Sequence, residues 1–302
     1  MNKPAALHKG DRVAVVAPAG QPVKGHLMQG VRVLEEMGLE VMIGRHVFDV
    51  EEDPDEMDRK RVTNLHEAFF YPSIMGIFCA NGGFGSARIA PLLDYERIAE
   101  NPKIFWGYSD ITYLLNALQK WSGLVTFHGP MVASDLNEEQ RTAETVSSFL
   151  TLFNGKSSVY DSSHSSLSVI SDGTGEGNLV GGNMTLLTNG LGTPYQVNAE
   201  GAILLLEDVG EPAFKIDMML THLQQAGVFD GVQGVVIGNF QVDPNEYSRI
   251  RRVLQDFFAR ASFPVVENFS IGHCQSNYSV PLGVQAKLTT SPPTLLIESG
   301  VR

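Results

Sequence analysis

The sequence is poor in cysteine and contains no long apolar run. Its two cysteines, Cys79 and Cys274, lie far apart and in no CxxC pattern, so neither a disulfide framework nor a zinc knuckle is indicated. No stretch reaches the roughly 18 apolar residues that a membrane-spanning helix needs. Proline and glycine interrupt the N-terminus before the apolar core of a signal peptide could form. We therefore expect a reduced, cytoplasmic protein without a metal or other cofactor.

Positive charge is also scarce. The 302 residues include 22 Lys and Arg against 34 Asp and Glu, which gives a formal net charge of −12. This charge repels the phosphates of nucleic acids and of anionic lipids, so we expect neither a nucleic-acid partner nor a membrane partner. Apolar residues make up 43% of the chain, enough for the cores of one large domain or two ordinary ones.

Short apolar runs alternate with helical patterns in the first half. This alternation predicts a largely parallel sheet with helices on both faces, in which ligands lie at the carboxyl ends of the strands. The second half is richer in predicted strands, and a serine-crowded, irregular stretch separates the halves. The predicted organisation is an N-terminal domain (1–137), a linker (138–175) and a C-terminal domain (176–302).

Ser109 stands between a predicted strand ending at Gly107 and a helix predicted to begin at Asp110. A serine at such a sharp turn can expose its hydroxyl, and the Asp110 amide would point at a group attached to it. The G-x-S-x-G elbow is incomplete, because Ile111 occupies the second glycine position. The alternative is that Ser109 only caps the helix, since serine is a common N-cap residue.

The segment Asn81-Gly82-Gly83-Phe84-Gly85 follows another predicted strand. Its glycines permit positive φ angles and a close approach of the backbone to a ligand. The segment matches neither a dinucleotide-binding fingerprint nor a Walker loop. An anion-binding nest and a tight turn without a ligand are both compatible with it.

Two further candidates come from the second half. Glu207 directly follows the buried strand 201–206. Acidic residues before a helix complement its dipole, which accounts for Glu211 ahead of the helix predicted from Pro212 but accounts less well for Glu207. His273 lies in a loop between glycine and polar residues, with His128 as a rival histidine. A serine, an acid and a histidine, each after a predicted strand, form a more specific set than any one alone.

Together these segments resemble the LD-carboxypeptidase family of serine peptidases, which also contains microcin-immunity peptidases. The resemblance spans nearly the whole chain, and the motifs that carry it are APAG from Ala17, NGGFGSARIAPLLD from Asn81, GYSDIT from Gly107, FHGPM from Phe127, GNLVGGNMTLLTNGLGTPY from Gly177, LLLEDVGEPAFKID from Leu204 and GHCQSN with VPLG from Gly272. The resemblance implies an α/β fold, in which an N-terminal sheet domain similar to class I glutamine amidotransferases is joined to a swivelling β/β/α domain. It also implies a homodimer.

The resemblance implies that Ser109 is the nucleophile, His273 the general base and Glu207 the orienting acid. The expected reaction is release of the terminal D-alanine from L,D-linked muropeptide tetrapeptides during cell-wall recycling, with backbone amides near Gly82, Gly83 and Asp110 holding the oxyanion and the substrate. One departure is Asn81, where the family usually has arginine before its glycines. This departure bears on the substrate, whose carboxylate would then be bound by the glycine loop or by a cation such as Arg88 or Lys215.

Three alternatives differ in class. One is a microcin-immunity-type peptidase or amidase, although no aromatic insertion suited to stacking a nucleotide is evident. Another is a cysteine hydrolase with Cys79 as nucleophile, against which Cys79 lies inside an apolar run. The third is a non-catalytic protein that binds a small anionic peptide.

Overall fold

The computed structural model describes residues 1–302, which form fourteen strands and nine α-helices. The strands are β1 (Arg12–Val16), β2 (Glu40–Ile43), β3 (Ile74–Cys79), β4 (Ile104–Gly107), β5 (Thr126–His128), β6 (Ser158–Asp161), β7 (Ser168–Ser171), β8 (Thr174–Asn183), β9 (Ala202–Val209), β10 (Gly234–Gln241), β11 (Val265–Glu267), β12 (Val280–Leu282), β13 (Gln285–Thr290) and β14 (Pro293–Ile297). The helices are α1 (Lys24–Glu36), α2 (Pro54–Phe70), α3 (Ser86–Ile89), α4 (Tyr95–Glu100), α5 (Thr112–Ser122), α6 (Ala143–Ser148), α7 (Met184–Asn189), α8 (Ala213–Gln225) and α9 (Pro244–Phe258).

The first sheet has the strand order β12-β5-β4-β3-β1-β2. Strands β1 to β5 pair in parallel, as the alternating pattern predicts. Their apolar runs are buried because helices α1, α2 and α5 pack against the sheet. Strand β12 comes from the far end of the chain and pairs antiparallel with β5. No strand is predicted at β12 from the sequence, because it is three residues long and contains Pro281.

The second sheet has the order β6-β14-β13-β8-β9-β10-β11-β7, with a parallel centre from β8 to β11. Side chains of β9 alternate between two apolar clusters, as expected for a strand buried on both faces. Ile203 and Leu205 belong to the cluster that also fills the first sheet, whereas Leu204 and Leu206 pack with α8 and α9. The two sheets therefore share one continuous core.

The stretch predicted to be an irregular linker carries regular structure. Residues 138–175 contain α6 and the strands β6 and β7, which form the two opposite edges of the second sheet. The side chains of β7 are all half-buried, so no alternation of apolar and polar residues marks it in the sequence. The boundaries of the two domains themselves stay a prediction.

The mixed α/β architecture with two sheets confirms the predicted fold class. None of the helices combines the length and the apolar composition that crossing a membrane requires.

Candidate active site

Ser109 lies where β4 turns into α5. Its φ of +61° places it in the left-handed region, which is uncommon for residues other than glycine. A short 3₁₀ turn (Ser109–Ile111) connects it to the helix. The Ser109 hydroxyl caps no helix amide and instead lies 3.1 Å from Nε2 of His273. The capping alternative is therefore wrong.

Glu207 lies near the carboxyl end of β9 and is completely buried. Because it shares a face with Ile203 and Leu205, its side chain points toward the first sheet. One carboxylate oxygen, Oε2, lies 2.7 Å from Nδ1 of His273 and accepts the His273 backbone N–H at 3.2 Å. The two polar contacts fix the imidazole relative to the acid.

His273 follows Gly272 in the loop between β11 and β12. Gly272 has a φ of +96°, and a Cβ there would lie 2.6 Å from Cγ of Glu207. Only glycine combines this backbone conformation with such a close approach to the acid. The loop thus presents Nδ1 of His273 to Glu207 and Nε2 to Ser109.

His273 and Glu207 shift each other's pKa values in opposite directions. Burial lowers the pKa of His273, but the charge of Glu207 and its hydrogen bond outweigh burial, so the pKa is raised. Burial also raises the pKa of Glu207, but the charge and hydrogen bond of His273, together with the adjacent His128 imidazole, outweigh burial, so the pKa is lowered. Glu207 is therefore an anion at neutral pH. Because Glu207 is an anion, the neutral imidazole of His273 carries its proton on Nδ1, in the hydrogen bond with Glu207. Nε2 is then free to accept the Ser109 proton.

The glycine loop lies directly above Ser109. A Cβ on Gly82 would lie 3.0 Å from Oγ of Ser109, and Gly83 and Gly85 have φ angles of +115° and +133°. The Gly82 carbonyl accepts a hydrogen bond of 2.7 Å from the N–H of Gly20. Of the two predicted glycines, Gly82 therefore lies against the Ser109 side chain, and Gly83 lies against the backbone of Gly20.

Asp110 is buried beside Ser109 and holds the start of α3. Its carboxylate accepts the N–H of Ser86 at 2.9 Å, and its carbonyl accepts the Ser86 hydroxyl at 2.5 Å. Burial raises the pKa of Asp110, and the hydrogen bonds from Ser86 oppose that rise. The side chain of Asp110 is thus occupied within the protein, and only its backbone amide is available to a substrate.

An arginine that the sequence analysis missed supports the glycine loop. Arg61, on α2, donates to the carbonyl of Ala19 at 2.5 Å and to that of Phe84 at 3.3 Å. A Cβ on Gly85 would lie 2.8 Å from Cζ of Arg61. Nothing around Arg61 in the sequence distinguishes it from the other charged residues of α2.

The cations proposed for carboxylate binding differ in availability. Arg88 is engaged with Asp58 at 2.7 Å and Asp55 at 3.1 Å, so it is not free to bind a substrate. Lys215 forms no ion pair and lines a cavity together with Thr185. Asn81 accepts the Ser134 hydroxyl at 2.6 Å through its side-chain oxygen.

Two buried acids that the sequence analysis did not single out flank the site. Asp208 accepts hydrogen bonds from Asn183 at 3.1 Å and from the N–H and hydroxyl of Thr185, both at 2.9 Å. Asp135 accepts the Tyr108 hydroxyl at 3.0 Å. Burial raises the pKa of each acid to about 6. The position of Asp208 beside Glu207 was the only signal in the sequence.

Cys79 does not fit the cysteine-hydrolase alternative. It is fully buried on β3, and burial raises the pKa of its thiol well above the usual value. A nucleophilic cysteine needs a lowered pKa and access to substrate. No group of three or more His, Cys, Asp or Glu side chains is arranged to hold a metal ion.

Known proteins resemble the chain over both halves. The sequence profile of the LD-carboxypeptidase N-terminal domain matches residues 13–129, and that of the C-terminal domain matches residues 176–288. The chain belongs to the LD-carboxypeptidase family. A probable murein peptide carboxypeptidase of Bacillus subtilis is 39% identical over 303 residues, covering 99% of this chain and 95% of the relative. Membership of the family makes the protein a serine-type carboxypeptidase.

Two solved structures are similar to this LD-carboxypeptidase throughout. An MccF-like protein from Bacillus anthracis has a TM-score of 0.88 and 29% identity, covering 98% of this chain and 99% of that one. A muramoyltetrapeptide carboxypeptidase from Oxalobacter formigenes has a TM-score of 0.84 and 27% identity, covering 96% and 100%. Both halves of the fold are thus shared with an MccF-like protein and with a muramoyltetrapeptide carboxypeptidase.

Proposed function

We propose that the protein is a serine peptidase that releases the terminal D-alanine from L,D-linked muropeptide tetrapeptides in cell-wall recycling. Ser109 is the nucleophile, His273 the general base and Glu207 the acid that orients the histidine. The supporting observation is the continuous chain of contacts from Ser109 Oγ to His273 Nε2 at 3.1 Å and from His273 Nδ1 to Glu207 at 2.7 Å. These are distances at which protons are transferred and shared.

The reaction is acyl transfer in two halves. Ser109 Oγ attacks the carbonyl carbon of the scissile bond while Nε2 of His273 takes the hydroxyl proton. The tetrahedral intermediate collapses, the C–N bond breaks, and His273 returns the proton to the amine of the departing D-alanine. A water molecule, deprotonated by His273, then hydrolyses the acyl-enzyme and regenerates Ser109.

The oxyanion that forms on the carbonyl is held by backbone amides, for which we propose those of Gly83 and Asp110. Each such donor is worth about 3 kcal/mol in the transition state. Support comes from the position of the glycine loop above Ser109 and from the start of α5 behind it, whose dipole favours negative charge. The Gly82–Gly85 backbone also binds the terminal carboxylate of the substrate, with Lys215 as the available cation.

The substrate proposal draws on the names of the murein peptide relatives. The MccF-like neighbour keeps a microcin-immunity-type peptidase or amidase as the second candidate. A non-catalytic binding protein would not require the buried Glu207–His273 pair, because the desolvation cost of burying such a pair often exceeds the attraction between its members.

The test is hydrolysis of a muropeptide tetrapeptide with release of D-alanine, together with labelling by a fluorophosphonate. We expect Ser109→Ala to abolish labelling and both Ser109→Ala and His273→Ala to remove most of kcat. The double variant should be no worse than either single variant, because the pair acts as a unit. Full activity of Ser109→Ala would overturn the serine-hydrolase proposal.

A further inference from the structure

His128 stands opposite the acid of the site, on the side away from His273. It ends β5 in the first sheet and is completely buried. Its Nε2 lies 3.6 Å from Oε1 of Glu207, the carboxylate oxygen that His273 does not use. Glu207 is therefore flanked by two imidazoles, one at each oxygen.

Three buried polar atoms around this contact have no other partner. Both ring nitrogens of His128 and Oε1 of Glu207 make no hydrogen bond elsewhere in the protein. Leaving a buried donor or acceptor without a partner costs about 1–3 kcal/mol. An N–H on Nε2 of His128 directed at Oε1 is the arrangement that satisfies two of the three atoms, and it requires that they approach by only a few tenths of an ångström.

We propose that His128 is a positioning residue that donates Nε2–H to Oε1 of Glu207 and so holds the acid for His273. This inference rests on the proposed function, in which Glu207 orients the general base. A carboxylate bound at both oxygens cannot rotate away from His273, so its contact with Nδ1 is maintained.

The contact also joins the two halves of the molecule. His128 belongs to the first sheet and Glu207 to the second, and Val280 of β12 pairs with His128 on its other side. The ring of Tyr108 packs between the imidazoles, 5.6 Å from His128 and 4.8 Å from His273. The acid is thereby aligned with the nucleophile-bearing sheet as well as with the base.

The test is an NMR titration of the His273 imidazole in the full-length protein. Besides Glu207, the charged or titratable groups that face His273 are Asp208, Asp135, Tyr108 and Cys274. They are the same in every variant compared. Removal of the His128 donor lets the Glu207 carboxylate rotate away from His273 and weakens the contact that raises the pKa of His273, so this pKa should fall by about 0.5 or more.

Three substitutions separate the hydrogen bond from the volume of the side chain. His128→Leu removes the donor. His128→Asn carries an amide N–H, but its side chain is too short for that N–H to reach Oε1 of Glu207. His128→Gln places an N–H near the position of Nε2. We expect a lowered pKa of His273 in His128→Leu and His128→Asn, and the wild-type value in His128→Gln. In a peptide assay kcat should fall at least about tenfold in the first two, with little change in KM.

Thr126→Val is the matched control, because Thr126 is equally buried on the same face of β5 and bonds only to Gln119 and Leu115. It should leave the pKa of His273 unchanged. An unchanged pKa in His128→Asn, with a native near-UV circular dichroism spectrum, would overturn the inference even if His128→Leu does not fold. The titration needs no turnover, so its outcome is separate from the Ser109→Ala assay that decides the proposed function.

Discussion

Ser109 adopts a backbone conformation that costs about 1–3 kcal/mol for a residue with a side chain. The only other non-glycine residue with positive φ is Asn268. At Ser109 the strained turn aims the hydroxyl at His273 instead of at the free amides of the following helix. A residue that only capped α5 would have no need of this conformation, since N-caps adopt the extended region. The strain is consistent with the role proposed for Ser109.

The contact between Glu207 and His273 predicts a pH dependence. A base must be neutral to accept a proton, so activity should fall as the pH drops through the pKa of His273, which is raised above its ordinary value of 6.5. Glu207→Gln removes the charge that raises this pKa. The acidic limb of kcat/KM should therefore move to lower pH, while kcat falls by less than in Ser109→Ala. A limb that stays in place would show that Glu207 does not act on His273.

At the scale of elements, the carboxyl end of β9 supplies two acids, Glu207 and Asp208, that lie in different environments. Successive side chains of β9 point to opposite faces, so Glu207 faces the first sheet and Asp208 faces α7. Asp208 then anchors Asn183 and Thr185 at the start of that helix. The pairing of β8 with β9 through Asn183 and Glu207 brings these residues together.

The requirement for glycine at position 272, beside His273, can be tested against a matched control glycine. Gly272→Ala places a Cβ against the carboxylate of Glu207, so we expect kcat to fall by about 100-fold through displacement of the acid. Gly10→Ala is the control, because Gly10 has a similar φ of +90° and nothing within 4 Å. Both substitutions place a side chain on a residue with positive φ, so both strain the backbone to a similar degree. A comparable loss of activity in Gly10→Ala would mean that backbone strain alone, and not contact with Glu207, lowers kcat. Stability is compared by thermal unfolding.

The glycine loop predicts recognition of a free carboxyl terminus. Burying a carboxylate without a partner is prohibitive, and Arg88 is already engaged by Asp55 and Asp58. We expect a C-terminally amidated tetrapeptide to be cleaved at least about tenfold less efficiently, equivalent to roughly 1.4 kcal/mol. Asn81→Arg should keep activity if the loop keeps its shape. Equal kcat/KM for the two peptides would favour an endopeptidase or amidase.

At the scale of the whole molecule, the site exists only where the two sheets meet. Ser109 and His128 come from the first sheet, Glu207 from the second, and His273 from the loop that leads into β12. The apolar core is continuous across the same junction, from Trp106 to Ile203. This arrangement favours unfolding of both halves as one cooperative unit.

Leu223→Ala tests this cooperativity. Leu223 is buried on α8 in the cluster remote from the first sheet, and its truncation should cost about 2–5 kcal/mol. Trp106 is fully buried in the first sheet and packs against Phe78 and Phe127. We follow its fluorescence in a Trp121→Phe background, because Trp121 lies near Tyr195 of the second half. We expect the fluorescence and far-UV circular dichroism midpoints to shift together in denaturant. A fluorescence transition that stays in place would mean that the halves unfold independently.

The sequence alone predicted the family, the mixed α/β fold and the strands of the first half, because buried parallel strands appear as continuous apolar runs. It also singled out Ser109, Glu207 and His273, since each follows a predicted strand, and their roles in catalysis stay a proposal. It missed β8 and β12, whose glycines and proline obscure the strand pattern.

Only the tertiary structure decided which histidine meets which atom. In the sequence His128 and His273 are both histidines next to glycines, and Arg61 is one of several charges on a helix. In the fold, His273 lies between Ser109 and Glu207, His128 lies against the far oxygen of the acid, and Arg61 lies beneath the glycine loop. Local patterns specify where strands and turns form. Distances between residues as far apart in the chain as Ser109 and His273 depend on how the two sheets pack together.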